Sequence, residues 1–221
     1  MKKPIPLVSN KLALEFPRLK EVAQTVHKII NREPDRLQEA LHILEVVENC
    51  ARISELEGLD SESQEVTVVA ALLHDIGATL DSSRPHPIVS AEHARTILGD
   101  FGYTAAEIDR ICSCIETHSI TSSDRRPLTL EQKIVFDADY LTVFTVVGVG
   151  RWFTLSAKRG YTTDAVVAML DLLRLYEWAI AGQLFHTMTA SELLRHNAFF
   201  QDYVHYVRSR LTELTILLQD G

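Results

Sequence analysis

Apolar residues recur at helical spacing along most of this chain. From Asp35, which follows Pro34, the residues Leu37, Leu41, Leu44, Val47 and Ala51 share one face of a predicted helix that runs to Gly58. Ser61 or Ser63 is placed to cap a second helix. Its block from Val66 to Leu73 is apolar almost throughout, so it is expected to be central and buried on most sides, with Gly77 as its stop. Between Ala78 and Pro87 the composition is that of a loop, and a shorter helix covers Ile88 to Leu98. Thr104 with Glu107 forms a capping-box pattern, continued by Ile108, Ile111 and Ile115 towards His118. Thr129 with Gln132 repeats the signature and opens the segment that holds Asp137, Asp139 and Leu141. The run from Val143 to Val149 is β-branched enough for a strand. No second strand candidate offers it a partner, and an isolated strand cannot satisfy its backbone, so helix is assigned there too. Thr163 to Ala181 and Thr189 to Leu218 complete an all-α pattern without internal repeats or low-complexity tracts. The last ~60 residues read as helices packed on the core or over the site.

Composition narrows the class without changing the fold. A chain of 221 residues with 46% apolar content builds a sizeable core as one domain, or as one domain with an appendage. Three cysteines, Cys50, Cys112 and Cys114, leave one over, and Cys112-Ser-Cys114 lacks zinc-cluster spacing, which suits a reducing cytoplasm. No N-terminal stretch joins basic residues to a long apolar run, and the uncharged segment Tyr140 to Gly150 is too short to span a bilayer, so no membrane partner is expected. A net charge of -8 speaks against nucleic-acid binding, because phosphate backbones are held mainly by Lys and Arg. Small anions remain compatible if a metal offsets the carboxylates locally.

That condition points to the pair His74-Asp75 at the end of the apolar central helix. Adjacent helical side chains diverge by about 100°, so both address one ion only near a helix end. His42 upstream and Asp139 downstream each sit in a separate predicted helix, and the four together supply two imidazoles and two carboxylates. Helices packed around one cavity would bring them together, and such a set suits Mn, Mg, Co, Fe or Zn with coordination positions left open. Each residue also has a structural reading: His42 as a histidine beside the core-facing Leu41, and Asp139 as a cap or an Arg partner. A buried acid without a strong partner is costly, which favours the metal. Asp137, two positions away, points elsewhere. His86, between prolines, and His118, at a helix end, decide between one ion and two. If both bind, Asp75 could bridge two ions that clamp a phosphoryl group. Arg52, Arg84, Lys133 and Arg151 are the basic residues nearest the motifs. Arg151 follows the small residues Gly148 and Gly150, which would let a ligand approach.

The ordered set His42, His74-Asp75 and Asp139 resembles the HD-domain superfamily of metal-dependent phosphohydrolases, over roughly residues 20 to 155. Leu41-His42-Ile-Leu-Glu-Val46 looks like its first helix, and His74-Asp75-Ile-Gly77 like its central motif. The stretches Ile115-Glu-Thr-His118-Ser119, Leu130 to Leu141 and Gly148 to Phe153 are similar to bacterial predicted HD hydrolases that include nucleotide pyrophosphohydrolases. Two departures stand out: Thr142 replaces a third acid usual in that branch, and His86 lies in a loop where the branch has no ligand. The resemblance implies an all-α domain over 20–155 with 156–221 as a C-terminal helical extension of the same domain. It implies His42, His74, Asp75 and Asp139 as metal ligands, with His86 and His118 as further candidates. The reaction it implies is cleavage of a phosphoester or phosphoanhydride of a small nucleotide-like substrate by metal-activated water, oriented by Asp75 and with Arg151, Lys133, His118 and Arg84 on the substrate. A homo-oligomer is compatible with this. The same scaffold also serves di-iron oxygenases, and a non-catalytic ligand-sensing module is the third alternative.

Overall fold

The computed structural model describes residues 6–32, 36–120 and 126–219, and every regular element among them is a helix. Two helices absent from the periodicity reading come first. In α1 (Asn10–Glu15) the Ser9 hydroxyl accepts the Leu12 N–H, and α2 (Leu19–Ile30) buries Leu19, Val22, Val26 and Ile30 along one stripe. The long helix is α3 (Arg36–Leu56), whose expected start at Pro34 and Asp35 lies outside the described residues; it buries Ala40, Ile43, Val46, Val47, Cys50 and Ile53, whereas of the expected face Leu37 is exposed and Leu41, Leu44 and Ala51 are half-buried. Gly58 then adopts φ 73°, a turn conformation open to glycine at no steric cost.

Asp60 caps α4 (Ser61–Leu73), in place of either expected serine: its backbone is extended and its carboxylate accepts the Ser63 N–H at 2.8 Å. Ser61 and Ser63 already lie within the helix, where a cap's extended backbone is impossible. Val66 to Leu73 are all buried, which makes α4 the central helix. Side chains such as Val69 and Leu72 each contribute on the order of 2 kcal/mol relative to exposure. The helix packs against α3, α7 (Ala105–Thr117) and α8 (Leu130–Thr142). Gly77 is not its stop. The break comes at Asp75, and Gly77 lies inside the short α5 (Ile76–Leu80).

The expected loop from Ala78 to Pro87 is thus partly helical. Helix α6 (His86–Asp100) starts ahead of the expected Ile88, because proline in the first turn costs no hydrogen bond. Both capping boxes form: Thr104 with Glu107 on α7, and Thr129 with Gln132 ahead of α8. Arg18 ties these helices together. It pairs with Glu65 of α4 at 3.0 Å and Glu107 of α7 at 2.7 Å, and its guanidinium lies over Tyr103. Asn49 of α3 donates to the Ala138 carbonyl of α8 at 3.2 Å.

Of the β-branched run, Val146 to Val149 are helical and open α9 (Val146–Lys158), while residues 143–145 turn the chain, with the Thr145 hydroxyl accepting the Gly148 N–H. Then come α10 (Ala165–Ile180), capped by Asp164, α11 (Met188–Arg195) and α12 (Ala198–Gln219). The single helix expected from Thr189 is therefore two. Asn197 interrupts it by accepting the Phe200 N–H at 3.1 Å and donating to the Phe144 carbonyl at 2.9 Å. By compactness, Met1–Thr142 with Phe185–Ala190 form one unit, and Val143–Leu184 with Ser191–Gly221 another. The second unit is built around the rings of Phe144, Tyr176 and Phe200, 4.9 to 6.0 Å apart. The spatial division after α8 runs at 142/143. Among the described residues, no helix is long and apolar enough to cross a membrane.

Residues 185–190 belong to the first unit because Asp137 holds them. Its buried carboxylate accepts the N–H groups of His186 and Thr187 and the Thr187 hydroxyl, at 2.7 to 3.1 Å. Stranding these donors in Asp137→Ala is expected to lower unfolding stability by about 3 kcal/mol, read by urea denaturation. A loss under about 1 kcal/mol would show that the segment is held by other contacts.

Candidate metal centre

Six side chains from five stretches converge in the first unit. His42 comes from α3, His74 and Asp75 from the end of α4, His86 from the first residue of α6, His118 from the end of α7 and Asp139 from α8. The break after α4 makes the adjacent pair usable. His74 keeps helical dihedrals (φ -59°, ψ -38°), while Asp75 adopts φ -105°, ψ 0°, a sparsely populated region frequent at functional sites. Both residues therefore reach one point, with His74 Nε2 3.5 Å from Asp75 Oδ2.

The cluster has two halves. In one, His42 Nε2 lies 3.2 Å from His74 Nε2, 3.3 Å from Asp139 Oδ1 and 3.5 Å from Asp75 Oδ2. In the other, His86 Nε2 lies 3.1 Å from His118 Nε2 and 3.2 Å from Asp75 Oδ1. Asp75 thus turns a different oxygen to each half. Three overlapping sets of donor atoms, His42 with His74 and Asp75, His74 with His118 and Asp139, and Asp75 with His86 and His118, each fall within 4.8 Å.

Hydrogen bonds on the outer side of each ring fix what faces inward. His74 Nδ1–H donates to the Ala71 carbonyl and His118 Nδ1–H to that of Ile115, both at 2.6 Å. Thr142 donates its hydroxyl proton to the Asp139 carbonyl at 2.7 Å and so accepts His42 Nδ1–H at 3.2 Å. In all three rings Nε2 is then the lone-pair atom, pointing at other lone pairs and at two carboxylates. Such an inward set is repulsive without a cation, and it is the donor chemistry of a divalent metal. Electrostatics agree. Burial works to lower the His74 imidazole, but Asp75, aided by Asp139, outweighs it and holds the ring above its ordinary value. Burial likewise opposes ionisation of Asp75 and Asp139, yet the surrounding imidazoles hold both carboxyls far below the usual range. His42, His74 and His118 are 1–2% exposed or less, whereas Asp75, His86 and Asp139 keep 14%, 17% and 20% of side-chain exposure, so the cluster is open on their side.

The structure thus brings together His42, His74, Asp75, His86, His118 and Asp139. The other predicted site residues lie outside this set. Arg84 is exposed and held by Glu92 through two bonds of 2.7 and 2.8 Å, Lys133 is half-buried on α8, and Arg151 is on α9 of the second unit. Glu131 of α8 pairs with Arg110 of α7. Sequence reasoning missed the positioning residues. Thr142, noted only as a departure, orients His42. Ser90 accepts the Gly77 N–H at 2.8 Å, and a Cβ on Gly77 would collide with the His86 carbonyl oxygen. Glycine therefore lets α5 and α6 approach closely enough to bring His86 in, a role that its setting in a small-residue stretch beside the motif hints at.

Residues 40–143 match the model of the HD domain family. No curated protein matches the chain. Among solved structures, a "predicted HD superfamily hydrolase" of an uncultured Thermotogales bacterium is similar at 23% identity, covering 93% of this chain and 99% of its own, with a TM-score of 0.65. YpgQ of Bacillus subtilis is similar at 26% identity, covering 89% and 96%, with the same TM-score. The structure of YpgQ in complex with ADP gives 24% identity, 90% and 96% coverage, and 0.65.

Gly77→Ala forces the α5 and α6 backbones apart and carries His86 away. It is expected to cost about 1–3 kcal/mol of stability and to reduce bound divalent metal, measured by urea denaturation and elemental analysis. Unchanged stability and metal content would show that this close approach does not position His86.

Proposed function

The chain belongs to the HD-domain superfamily, and from that premise we propose that it is a metal-dependent phosphohydrolase acting on a small nucleotide-like substrate. The observation that carries this reading is the carboxylate of Asp75, with Oδ2 towards His42 and His74 and Oδ1 towards His86 and His118. One carboxylate serving two imidazole pairs suits two cations side by side, and the exposed edge of Asp75, His86 and Asp139 gives a reactant access. His42, His74, Asp75 and Asp139 would hold one ion, and His86, His118 and Asp75 a second. When bound, such ions polarise phosphoryl oxygens and acidify water for in-line attack.

The chain's own residues prepare that chemistry. Thr142 and the Ala71 and Ile115 carbonyls fix the tautomers of His42, His74 and His118, so these three imidazoles need not reorient when a ligand arrives. Asp75 is the acceptor best placed to orient a water, because its oxygens face both halves and it lies at the open edge. Lys133 supplies charge for the substrate's phosphates. Arg84 is already engaged by Glu92. Arg151 is a candidate from its sequence context after Gly148 and Gly150. The ADP complex of YpgQ supports a nucleotide as the ligand class.

Purified protein loaded with Mn, Mg, Co or Fe is expected to release phosphate or pyrophosphate from nucleotides. His74→Ala and Asp139→Asn are expected to lose bound metal and at least about a thousandfold in activity, on the order of 4 kcal/mol of transition-state stabilisation. Variants that keep both metal and activity would contradict the assignment. A cluster able to hold two ions also admits a di-iron oxygenase. Iron near two per chain, with oxygen consumption and no phosphate release, would identify that chemistry instead.

A further inference from the structure

A cleft of about 920 Å³ is lined by α1, by α2 and by residues 6–8 ahead of them, none of which contributes to the metal centre. Its size falls in the range of small-molecule sites. Helix α2 buries one stripe, Leu19, Val22, Val26 and Ile30, and the residues that line the cleft, Lys20, Ala23, Gln24, His27 and Lys28, recur about 100° further round the same helix. Leu7 and Val8 are buried in the wall, Ala13 and Ala23 are half-buried, and Leu14 is 83% exposed. An apolar ligand laid along this wall removes that leucine from water.

Two properties of the lining select the ligand. Apart from the His27 imidazole it contains no aromatic ring, so leucine, valine, alanine and proline present an aliphatic wall with no ring face for a planar base to stack on. The second property is charge. In a chain of net charge -8, the fixed charges in the lining are two lysines, Lys20 and Lys28, and neither has an ion pair among the described residues. What sets them apart from other lysines is that they border one apolar cleft that no acidic side chain lines. Lys28 adjoins His27, whose Nδ1 is buried without a hydrogen-bond partner among the described residues. When that atom carries the ring proton, it has a donor to offer. Lys20 stands about 12 Å from Lys28 along the axis of α2, at the other end of the lining face.

We propose that this cleft binds a single-chain aliphatic carboxylate, with the carboxylate at His27 and Lys28 and the alkyl tail along Ala23, Ala13 and Leu14 towards Lys20. A carboxylate accepts charge-assisted bonds from an ammonium and an imidazole N–H, while the tail covers the apolar wall and the methylene stem of Lys20. Lys2 and Lys3 share the sign of the lining, so charge does not select the first residues of the protein as the occupant. The site stands independently of the hydrolase reading, because it shares no residue with the donor cluster.

Dodecanoate titrated into the full chain in the presence of a chelator, followed by calorimetry, is expected to bind once per chain with a Kd on the order of 10 μM. Affinity is expected to rise about tenfold for every two methylenes from octanoate to dodecanoate, as burial of the tail requires. Lys28→Met removes the charge and keeps an apolar stem, and it is expected to weaken dodecanoate about tenfold with thermal unfolding unchanged. Leu14→Asp, at an exposed position, is expected to weaken it by at least about tenfold, also without loss of thermal stability. Dodecyltrimethylammonium, with the same tail and the opposite charge, is expected to bind at least about tenfold more weakly than dodecanoate. Absence of one-to-one binding by the wild type, equal affinity in both variants, or equal affinity for the two head groups overturns the proposal. A dimer in sedimentation that Leu14→Asp dissolves, or co-sedimentation with phosphatidylglycerol vesicles, in protein that takes up no dodecanoate, assigns the cleft to a second copy or to a membrane and likewise overturns it.

Discussion

Three imidazole lone pairs and two carboxylates aimed at the same small volume are the constraint on which this structure turns. Each such group is stable in water, and each loses that stabilisation when buried. In His42, His74 and His118 the ring protons are committed outward, to Thr142, Ala71 and Ile115, so none of these three neutral rings donates to its neighbours inside. A divalent cation satisfies all of them at once. The remaining architecture is the support that holds these mutually repelling atoms in place, as a site for such a cation would require.

That support is built from ordinary helix physics. Helix α4 is buried along Val66 to Leu73 and so is fixed on all sides, and its end at Asp75 turns two adjacent residues onto one point. Arg18 locks α4 to α7 through Glu65 and Glu107, and Glu107 is drawn down to about 2 by Arg18 and the Thr104 cap. Asn49 ties α3 to α8 one residue from Asp139. Asp137 spends its carboxylate on residues 186 and 187, which leaves Asp139 as the acid of α8 that faces the cluster.

The existence of α3, α4 and α8, and the capping boxes at Thr104 and Thr129, were legible in the sequence, because those signals are local, but the buried face of α3 was not, since Ala40, Ile43 and Val46 are buried in place of Leu37 and Leu41. The donor set was legible as well, since buried-type acids and histidines at helix ends have few inexpensive explanations. What escaped depended on partners distant in sequence. Gly77 read as a helix stop because glycine usually ends helices, and only the nearness of His86 and Ser90 shows why it is there. Asn197 split an apparently continuous helix by bonding to Phe144, 53 residues away. Arg84 looked available until Glu92, two turns along α6, was seen to hold it. Thr142 looked like a missing acid and proved to be the group that sets the His42 tautomer.

The account is tested most directly by anomalous diffraction from crystals of the protein soaked in Mn²⁺. It predicts one peak bounded by His42, His74 and Asp139 and a second between His86 and His118, with Asp75 reaching both. Density without a peak at either position, or manganese bound only away from these six side chains, would contradict it.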